Sequence, residues 1–117
     1  MKKIFHLETC KTCQKILKDL EPLDGIELRE IKSKGVTPVE LDAMRSLTDS
    51  YESLFSRRAM LFRQRGLNDK ELSEGYFKDL ILDHYTFLKR PVVVVDDQIF
   101  IGNAKKQVEG AKAALHG

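Results

Sequence analysis

Hydrophobic and polar positions along the first third of the chain alternate in a way that predicts strand, loop, helix and strand in turn. Residues 3–7 form a short apolar run typical of a central strand. Ile16, Leu17 and Leu20 then recur at helical spacing. Residues 25–31 alternate apolar and polar side chains, as a half-buried strand does. The pattern therefore predicts a βαβ unit at the start of the chain.

The middle of the chain carries helical signals. Residues 37–40 (TPVE) combine an N-cap threonine, a proline at the first helical position and a capping-box glutamate. Shorter helical pieces are expected over residues 50–54 and 57–64. A further helix is predicted to open at Ser73 and to end near His84, where a cation would suit the helix dipole. This central block is therefore predicted to be helical.

The last third of the chain returns to strands. Residues 92–95 are four consecutive valines introduced by Pro91, and residues 98–101 are predicted to pair with them as a hairpin. Asn103 is the predicted N-cap of a final helix over residues 104–115. The resulting order, βαβ, a helical block and then ββα, predicts an α/β fold.

Length and charge narrow the class of protein. A chain of 117 residues suits one domain. We expect an α/β core from residues 1–34 and 86–117, with residues 35–85 as a helical insertion. Lys plus Arg number 20 and Asp plus Glu number 18, a net charge of +2 that does not favour direct nucleic-acid or membrane-surface binding. No signal peptide or membrane span is recognised at the start, so a cytoplasmic location is expected.

The two cysteines, Cys10 and Cys13, are the most informative residues. A scaffold disulfide between them would close a tiny loop and stabilise little. The three histidines lack zinc-finger spacing relative to the cysteines, so no metal site is expected. A redox pair, or a nucleophile beside a resolving thiol, remains.

The placement of this CxxC motif favours thiol chemistry. Cys10 is expected just before a helix and Cys13 in its first turn, where free N–H groups and the helix dipole favour a thiolate. Lys11 adds positive charge, and Cys13 is within reach of a mixed disulfide or sulfenic acid on Cys10. A CxxC between strand and helix, with Pro91 before a late strand, is typical of thioredoxin-like proteins, in which that proline is cis and lies beside the active cysteine. A chance CxxC and a merely structural proline remain the alternatives.

Three segments resemble the arsenate reductase/Spx family of thioredoxin-fold proteins: residues 9–17 (TCKTCQKIL), 54–59 (LFSRRA) and 87–94 (FLKRPVVV). The resemblance extends over nearly the whole chain. It implies a thioredoxin-like fold with a four-stranded mixed sheet, flanking helices and an inserted helical subdomain.

The resemblance also implies roles for individual residues. Cys10 matches the nucleophile that attacks an oxyanion in the arsenate reductases, and Arg90 matches the oxyanion-binding arginine before the proline. Ser56 and Gly102 stand at the positions of the other two family arginines. The implied catalytic set is Cys10, Cys13 and Arg90, and the implied substrate-binding set is Lys11, Thr12, Arg57, Arg58 and Pro91.

Two main functions follow as expectations. The first is a thiol-dependent oxidoreductase that acts on an oxyanion, arsenate among the candidates, or on a disulfide. It would hold no tightly bound cofactor and would use glutathione with glutaredoxin, or thioredoxin, as thiol donor. The alternative is an Spx-like redox switch that binds a protein partner such as RNA polymerase, although Ser50 replaces a glycine of the Spx contact surface. A third possibility is a protein with the family fold that acts on neither arsenate nor a transcription partner.

Overall fold

A single mixed sheet organises the strands in the computed structural model, which describes residues 1–117. The strands are β1 (Lys2–His6), β2 (Glu27–Glu30), β3 (Val92–Val95) and β4 (Gln98–Ile101), in the order β2-β1-β3-β4. Strand β1 is parallel to β2 and antiparallel to β3, and β3 is antiparallel to β4. The predicted four-stranded mixed sheet is therefore confirmed.

Six α-helices accompany the sheet: α1 (Lys11–Asp19), α2 (Ile31–Lys34), α3 (Pro38–Ser46), α4 (Met60–Gln64), α5 (Glu74–Asp83) and α6 (Lys105–His116). Single 3₁₀ turns cover Glu52–Leu54, Leu67–Asp69 and Tyr85–Phe87. The helices predicted over 50–54 and 57–64 are thus reduced to one turn and a five-residue helix. No helix combines the length and the apolar character needed to span a membrane.

The chain divides into two compact units. The sheet unit comprises Met1–Lys34 and Arg90–Gly117, and the helical unit comprises Gly35–Lys89. The helical insertion that was predicted from the sequence covers residues 35–85.

The core of the sheet unit lies between one face of the sheet and the helices α1 and α6. All four valines of β3 are buried, as the unbroken apolar run of an inner strand requires. The buried side chains of this core are Ile4, Ile16, Leu20, Val93, Val95, Ala111 and Leu115. Because Ile16 and Leu20 are buried in this core, they fix the position of α1, the helix that begins beside Cys10.

The core of the helical unit is built around Phe55. Its ring centroid lies 4.9 Å from that of Phe77, 5.3 Å from that of Phe87 and 5.9 Å from that of Phe62. These spacings are those of packed aromatic pairs. The phenylalanines of this unit therefore serve its packing.

Two of the predicted helix starts are confirmed. Thr37 Oγ1 accepts a hydrogen bond from Glu40 N at 3.1 Å, and Glu40 Oε1 accepts one from Thr37 N at 3.0 Å, which completes the capping box of α3. The side chain of Ser73 caps α5 by accepting from Tyr76 N at 3.2 Å.

Of the two remaining helix ends, one was predicted incorrectly and one correctly. Ala104, not Asn103, is the N-cap of α6, because the helix begins one residue later than expected and Asn103 is too early to reach its free N–H groups. Helix α5 ends at Asp83 with His84 as its C-cap, as predicted, and His84 Nδ1 accepts a hydrogen bond from Thr86 N at 3.1 Å.

Candidate active site

The CxxC motif lies where β1 passes into α1. Cys10 is the N-cap residue of α1, with an extended backbone, and its side chain makes no capping hydrogen bond. Cys10 N donates to Leu7 O at 3.1 Å, and Cys10 O accepts from Gln14 N at 3.0 Å, so the backbone on both sides of the cysteine is held. Both cysteines are free thiols. Cys10 is half-buried and Cys13 is fully buried.

The surroundings of Cys10 favour its thiolate. Partial burial by itself would raise the pKa of Cys10, but hydrogen bonds from the Cys13 backbone N–H, the Cys13 thiol and the Arg90 guanidinium outweigh it. The positive charge of Arg90 acts in the same direction. The pKa of Cys10 therefore lies below the usual value of a thiol, as expected for a nucleophilic cysteine at a helix N-terminus.

The surroundings of Cys13 have the opposite effect. Burial raises the pKa of Cys13 to about 11, and the nearby charge of Cys10 adds to this rise. The site thus pairs an accessible, acidic thiol with a buried thiol that keeps its proton at neutral pH.

Arg90 and Pro91 immediately precede β3, and the peptide bond between them is cis, as the sequence predicted. Strand β3 is antiparallel to β1, with Val92 opposite Phe5, so the start of β3 lies at the same sheet edge as the end of β1. Pro91 is buried, and its carbonyl accepts from Gly102 N at 2.9 Å. The fold therefore brings Arg90 to the CxxC motif from 80 positions further along the chain.

Lys11 and Thr12 occupy the first turn of α1 between the two cysteines, and both are exposed. The first turn of α1 contains no acidic residue. The positive end of this helix is therefore not neutralised by its own side chains, which favours an anion beside Cys10.

The two arginines predicted to bind substrate, Arg57 and Arg58, lie in the helical unit. Arg57 forms an ion pair with Glu52 Oε2 at 2.7 Å, and its guanidinium lies 5.4 Å from the ring centroid of Phe77. Arg58 is exposed. Of the two, Arg57 therefore already has its charge paired.

Glu30 is a supporting residue that the sequence analysis missed. Its carboxylate accepts from Glu8 N at 2.8 Å, from Ser33 N at 2.7 Å and from Ser33 Oγ at 3.0 Å. Partial burial would raise the pKa of Glu30, but these hydrogen bonds hold it below its usual value. Glu30 thus ties the loop that leads to Cys10 to the end of β2. The pairing of two parallel strands could have indicated this, because their carboxyl ends meet at one sheet edge.

No group of three or more histidine, cysteine, aspartate and glutamate side chains that could hold a metal ion is present. His6, at the end of β1, has a buried Nδ1 without a hydrogen-bond partner.

The sequence is similar to a known protein family and to proteins that belong to it. The model of the ArsC family matches residues 5–111. The global transcriptional regulator Spx 2 of Bacillus cereus is 29% identical over 108 residues, which cover 90% of this chain and 82% of the relative.

Solved structures of similar proteins share the fold. A protein described as related to the ArsC family, from Bacteroides fragilis, superimposes with a TM-score of 0.80 at 24% identity, covering 94% of this chain and 96% of the other. An arsenate reductase from Vibrio cholerae superimposes with a TM-score of 0.76 at 22% identity, covering 94% of this chain and 96% of the other. The chain therefore has the fold of these thioredoxin-like proteins over nearly its full length.

Proposed function

The chain belongs to the ArsC family, and on that basis we propose that it is a thiol-dependent oxidoreductase with Cys10 as nucleophile and Cys13 as resolving thiol. The observation that carries the proposal is the placement of the two thiols, with half-buried Cys10 at the N-terminus of α1 and Cys13 buried three residues later. In these surroundings the pKa of Cys10 is lowered and that of Cys13 is raised to about 11. A nucleophile whose thiolate is favoured and a neighbour that stays protonated until it is needed suit a two-step thiol reaction.

With a disulfide as substrate, the Cys10 thiolate attacks one sulfur, and the substrate S–S bond breaks to release one thiolate, which takes up a proton. Cys13 then loses its proton to solvent and attacks Cys10 Sγ. The second substrate thiol leaves, and a Cys10–Cys13 disulfide forms. The substrate gains two electrons and the protein dithiol loses two.

With an oxyanion such as arsenate, the Cys10 thiolate forms a sulfur–arsenic bond and displaces one oxygen as water after protonation. Attack of Cys13 on Cys10 Sγ then breaks that bond, and its electron pair reduces arsenic(V) to arsenic(III). Arg90 would stabilise the negative charge through its forked donors. Lys11, Thr12 and Pro91 complete the proposed substrate-binding set in the sheet unit, whereas the substrate-binding roles of Arg57 and Arg58 stay predictions from the family resemblance.

Turnover requires an external thiol to reduce the Cys10–Cys13 disulfide. Glutathione with glutaredoxin, or thioredoxin, supplies the two electrons, and the protein itself holds no tightly bound cofactor. A cytoplasmic location belongs to the same proposal, since thiols are kept reduced there.

The first prediction concerns the two cysteines. Arsenate-dependent NADPH oxidation, coupled through glutathione, glutaredoxin and glutathione reductase, is measured alongside reduction of a small neutral disulfide. We expect Cys10→Ser to abolish both reactions, because the attacking thiolate is lost. Cys13→Ser should accumulate a mixed disulfide on Cys10, visible by mass spectrometry as a covalent adduct. Turnover that survives in Cys10→Ser would overturn the assignment of the nucleophile.

A second function is favoured by one specific observation, the similarity to a relative named as a global transcriptional regulator. In this function Cys10 and Cys13 would form a redox switch, and RNA polymerase would be the partner. Binding of purified RNA polymerase to the reduced and the oxidised protein distinguishes the two functions. A regulator would bind one form at least about tenfold more tightly, equivalent to about 1.4 kcal/mol of coupling. An enzyme without this role would show no such difference.

A further inference from the structure

Three lysines form a stripe along the helix that begins at the nucleophile. Lys11, Lys15 and Lys18 are exposed and follow one another at i, i+4 and i+7, so they share one face of α1. None of the three forms an ion pair with an acidic side chain. The lysine stripe is therefore positive charge without an internal partner.

Helix α1 itself carries net positive charge. It contains three lysines and one aspartate, a net charge of +2. The aspartate, Asp19, is itself offset by Lys112 Nζ at 3.6 Å. An anion that approaches Cys10 along this helix thus meets net positive charge.

A shallow, open depression of about 550 Å³ lies beside the stripe, lined by Lys15, Ile16, Lys18 and Asp19 of α1. At about 1.5 Å of rise per residue, Lys18 lies roughly 12 Å along the helix axis from Cys10. An extended polypeptide spans that distance with about four residues. A chain whose cysteine reaches Cys10 can therefore lay its next few residues along the lysine stripe.

We propose that the substrate of Cys10 is a disulfide in an acidic polypeptide, whose Asp or Glu residues lie within about five positions of its cysteine and dock on Lys11, Lys15 and Lys18. This inference rests on the proposed thiol–disulfide chemistry and names its substrate class. The lysine stripe raises the rate of encounter with such a polypeptide and disfavours a basic one, because exposed charges at the rim of an interface act mainly on association.

The test uses three peptides of equal length that differ only in the residues beside a single cysteine: several glutamates, several glutamines or several lysines. In each peptide the cysteine carries a 2-thiopyridyl group as a mixed disulfide. Attack of Cys10 on the peptide sulfur breaks this bond and releases pyridine-2-thione, which is followed by absorbance in a single turnover of the reduced protein. Cys13 then attacks Cys10 and releases the peptide thiol, so no further reductant is needed.

We expect the acidic peptide to react at least about tenfold faster than the basic peptide at low salt, with the neutral peptide between them. At about 0.5 M salt the difference should shrink to within about twofold, because the Debye length is then near 4 Å. In Lys15→Gln/Lys18→Gln the preference for the acidic peptide should fall about threefold or more.

The control variant Lys2→Gln/Lys70→Gln removes the same charge from the chain with neither residue on α1, and it should keep the wild-type preference. Equal rates for the three peptides, or an equal loss of preference in the control, would overturn the docking proposal.

Neutral dithiodipyridine separates this outcome from failure of the proposed function. If Cys10 reacts with dithiodipyridine while the peptides show no charge preference, only the docking proposal is wrong. If Cys10 fails to react even with dithiodipyridine, the thiol chemistry is wrong and the docking proposal falls with it.

Discussion

At the scale of single residues, two cysteines that are three positions apart have pKa values shifted in opposite directions. Cys10 stands at the N-terminus of α1 and receives hydrogen bonds from Cys13 and Arg90, whereas Cys13 is turned into the core and has no exposed surface. The difference in burial comes from helical geometry, because the side chains at the N-cap and N3 positions point in different directions. The hydrogen bond from Arg90 to Cys10 comes from a residue that is distant in the sequence.

The second prediction follows from the contact between Arg90 and Cys10. Replacing Arg90 by Gln removes a charge and a charge-assisted hydrogen bond, so the pKa of Cys10 should rise. The alkylation rate of Cys10 by iodoacetamide should then fall several-fold near pH 7, and the midpoint of its pH profile should move to higher pH. Peptide mass spectrometry assigns the alkylation to Cys10.

The neighbouring cation provides the control for this prediction. Lys89 is exposed, and Lys89→Gln removes the same charge one position earlier. Its pH profile should match the wild type. An Arg90→Gln profile that also matches the wild type would show that Arg90 does not stabilise the thiolate.

At the scale of elements, the start of a helix can be read from sequence when its cap is local. The capping box of α3 involves only Thr37 and Glu40, and both signals are present in the sequence. Helix α6 begins without a side-chain cap, and Gln107 Oε1 accepts instead from Ile101 N of β4 at 3.0 Å. The start of α6 is therefore tied to the strand before it, which the sequence pattern did not indicate.

The third prediction contrasts two helical glycines. A Cβ added to Gly110 in α6 would lie 2.8 Å from Phe100 Cε1 of β4, whereas one added to Gly75 in α5 would meet nothing within 4 Å. Replacing a helical glycine by alanine normally gains up to about 1 kcal/mol, but overpacking costs about 1–3 kcal/mol. We expect Gly75→Ala to be neutral or stabilising and Gly110→Ala to destabilise by about 1 kcal/mol, measured by urea unfolding.

Phe100→Ala removes the ring atoms that the added Cβ would meet and provides the check on this mechanism. In the Phe100→Ala background, Gly110→Ala should no longer destabilise. If the two glycine substitutions have the same effect in the wild type, close packing of α6 on β4 is not what retains glycine at position 110.

At the scale of the whole molecule, the sheet assembles the reactive site. The end of β1, the end of β2 and the start of β3 meet at one edge, and they position Cys10, Glu30 and Arg90 respectively. Antiparallel pairing of β3 with β1 is essential to this arrangement, because a parallel β3 would place Arg90 at the opposite edge. The site therefore forms only when the strands of the sheet are correctly paired.

The fourth prediction concerns stability at alkaline pH in reducing buffer. The pKa of Cys13 is about 11 in the folded protein, above the value of an unfolded thiol near 8.5. The folded state therefore favours protonated Cys13, and this contribution is fully present below about pH 8.5 and is lost as pH rises toward 11. We expect the free energy of unfolding to fall more steeply in this range for the wild type than for Cys13→Ala.

Cys10 does not obscure this measurement. Its pKa is lowered in the folded protein, so its contribution to stability increases with pH only up to the unfolded value near 8.5 and is constant above it. Identical alkaline slopes for the wild type and Cys13→Ala, from denaturant unfolding at matched pH values, would contradict the raised pKa of Cys13.

Local patterns in the sequence determined much of this protein. The four valines of β3, the hairpin at Asp96-Asp97, the capping box of α3 and the placement of CxxC between strand and helix were all predicted. Each depends on side-chain periodicity or on hydrogen bonds between residues a few positions apart. Such signals are contained in short windows of sequence and are largely independent of the rest of the fold.

Only the tertiary structure decided the features that join distant residues. The hydrogen bond from Glu8 N to Glu30 and the contact of Arg90 with Cys10 span 22 and 80 positions, and they exist because the sheet brings three strand ends together. The pKa of Cys13 depends on how deeply α1 packs against the sheet, which no local pattern reports. Burial and long-range electrostatics arise from the assembled fold. For that reason the sequence could name both cysteines and expect a thiolate at the helix start, whereas the structure was needed to show that the two pKa values shift in opposite directions.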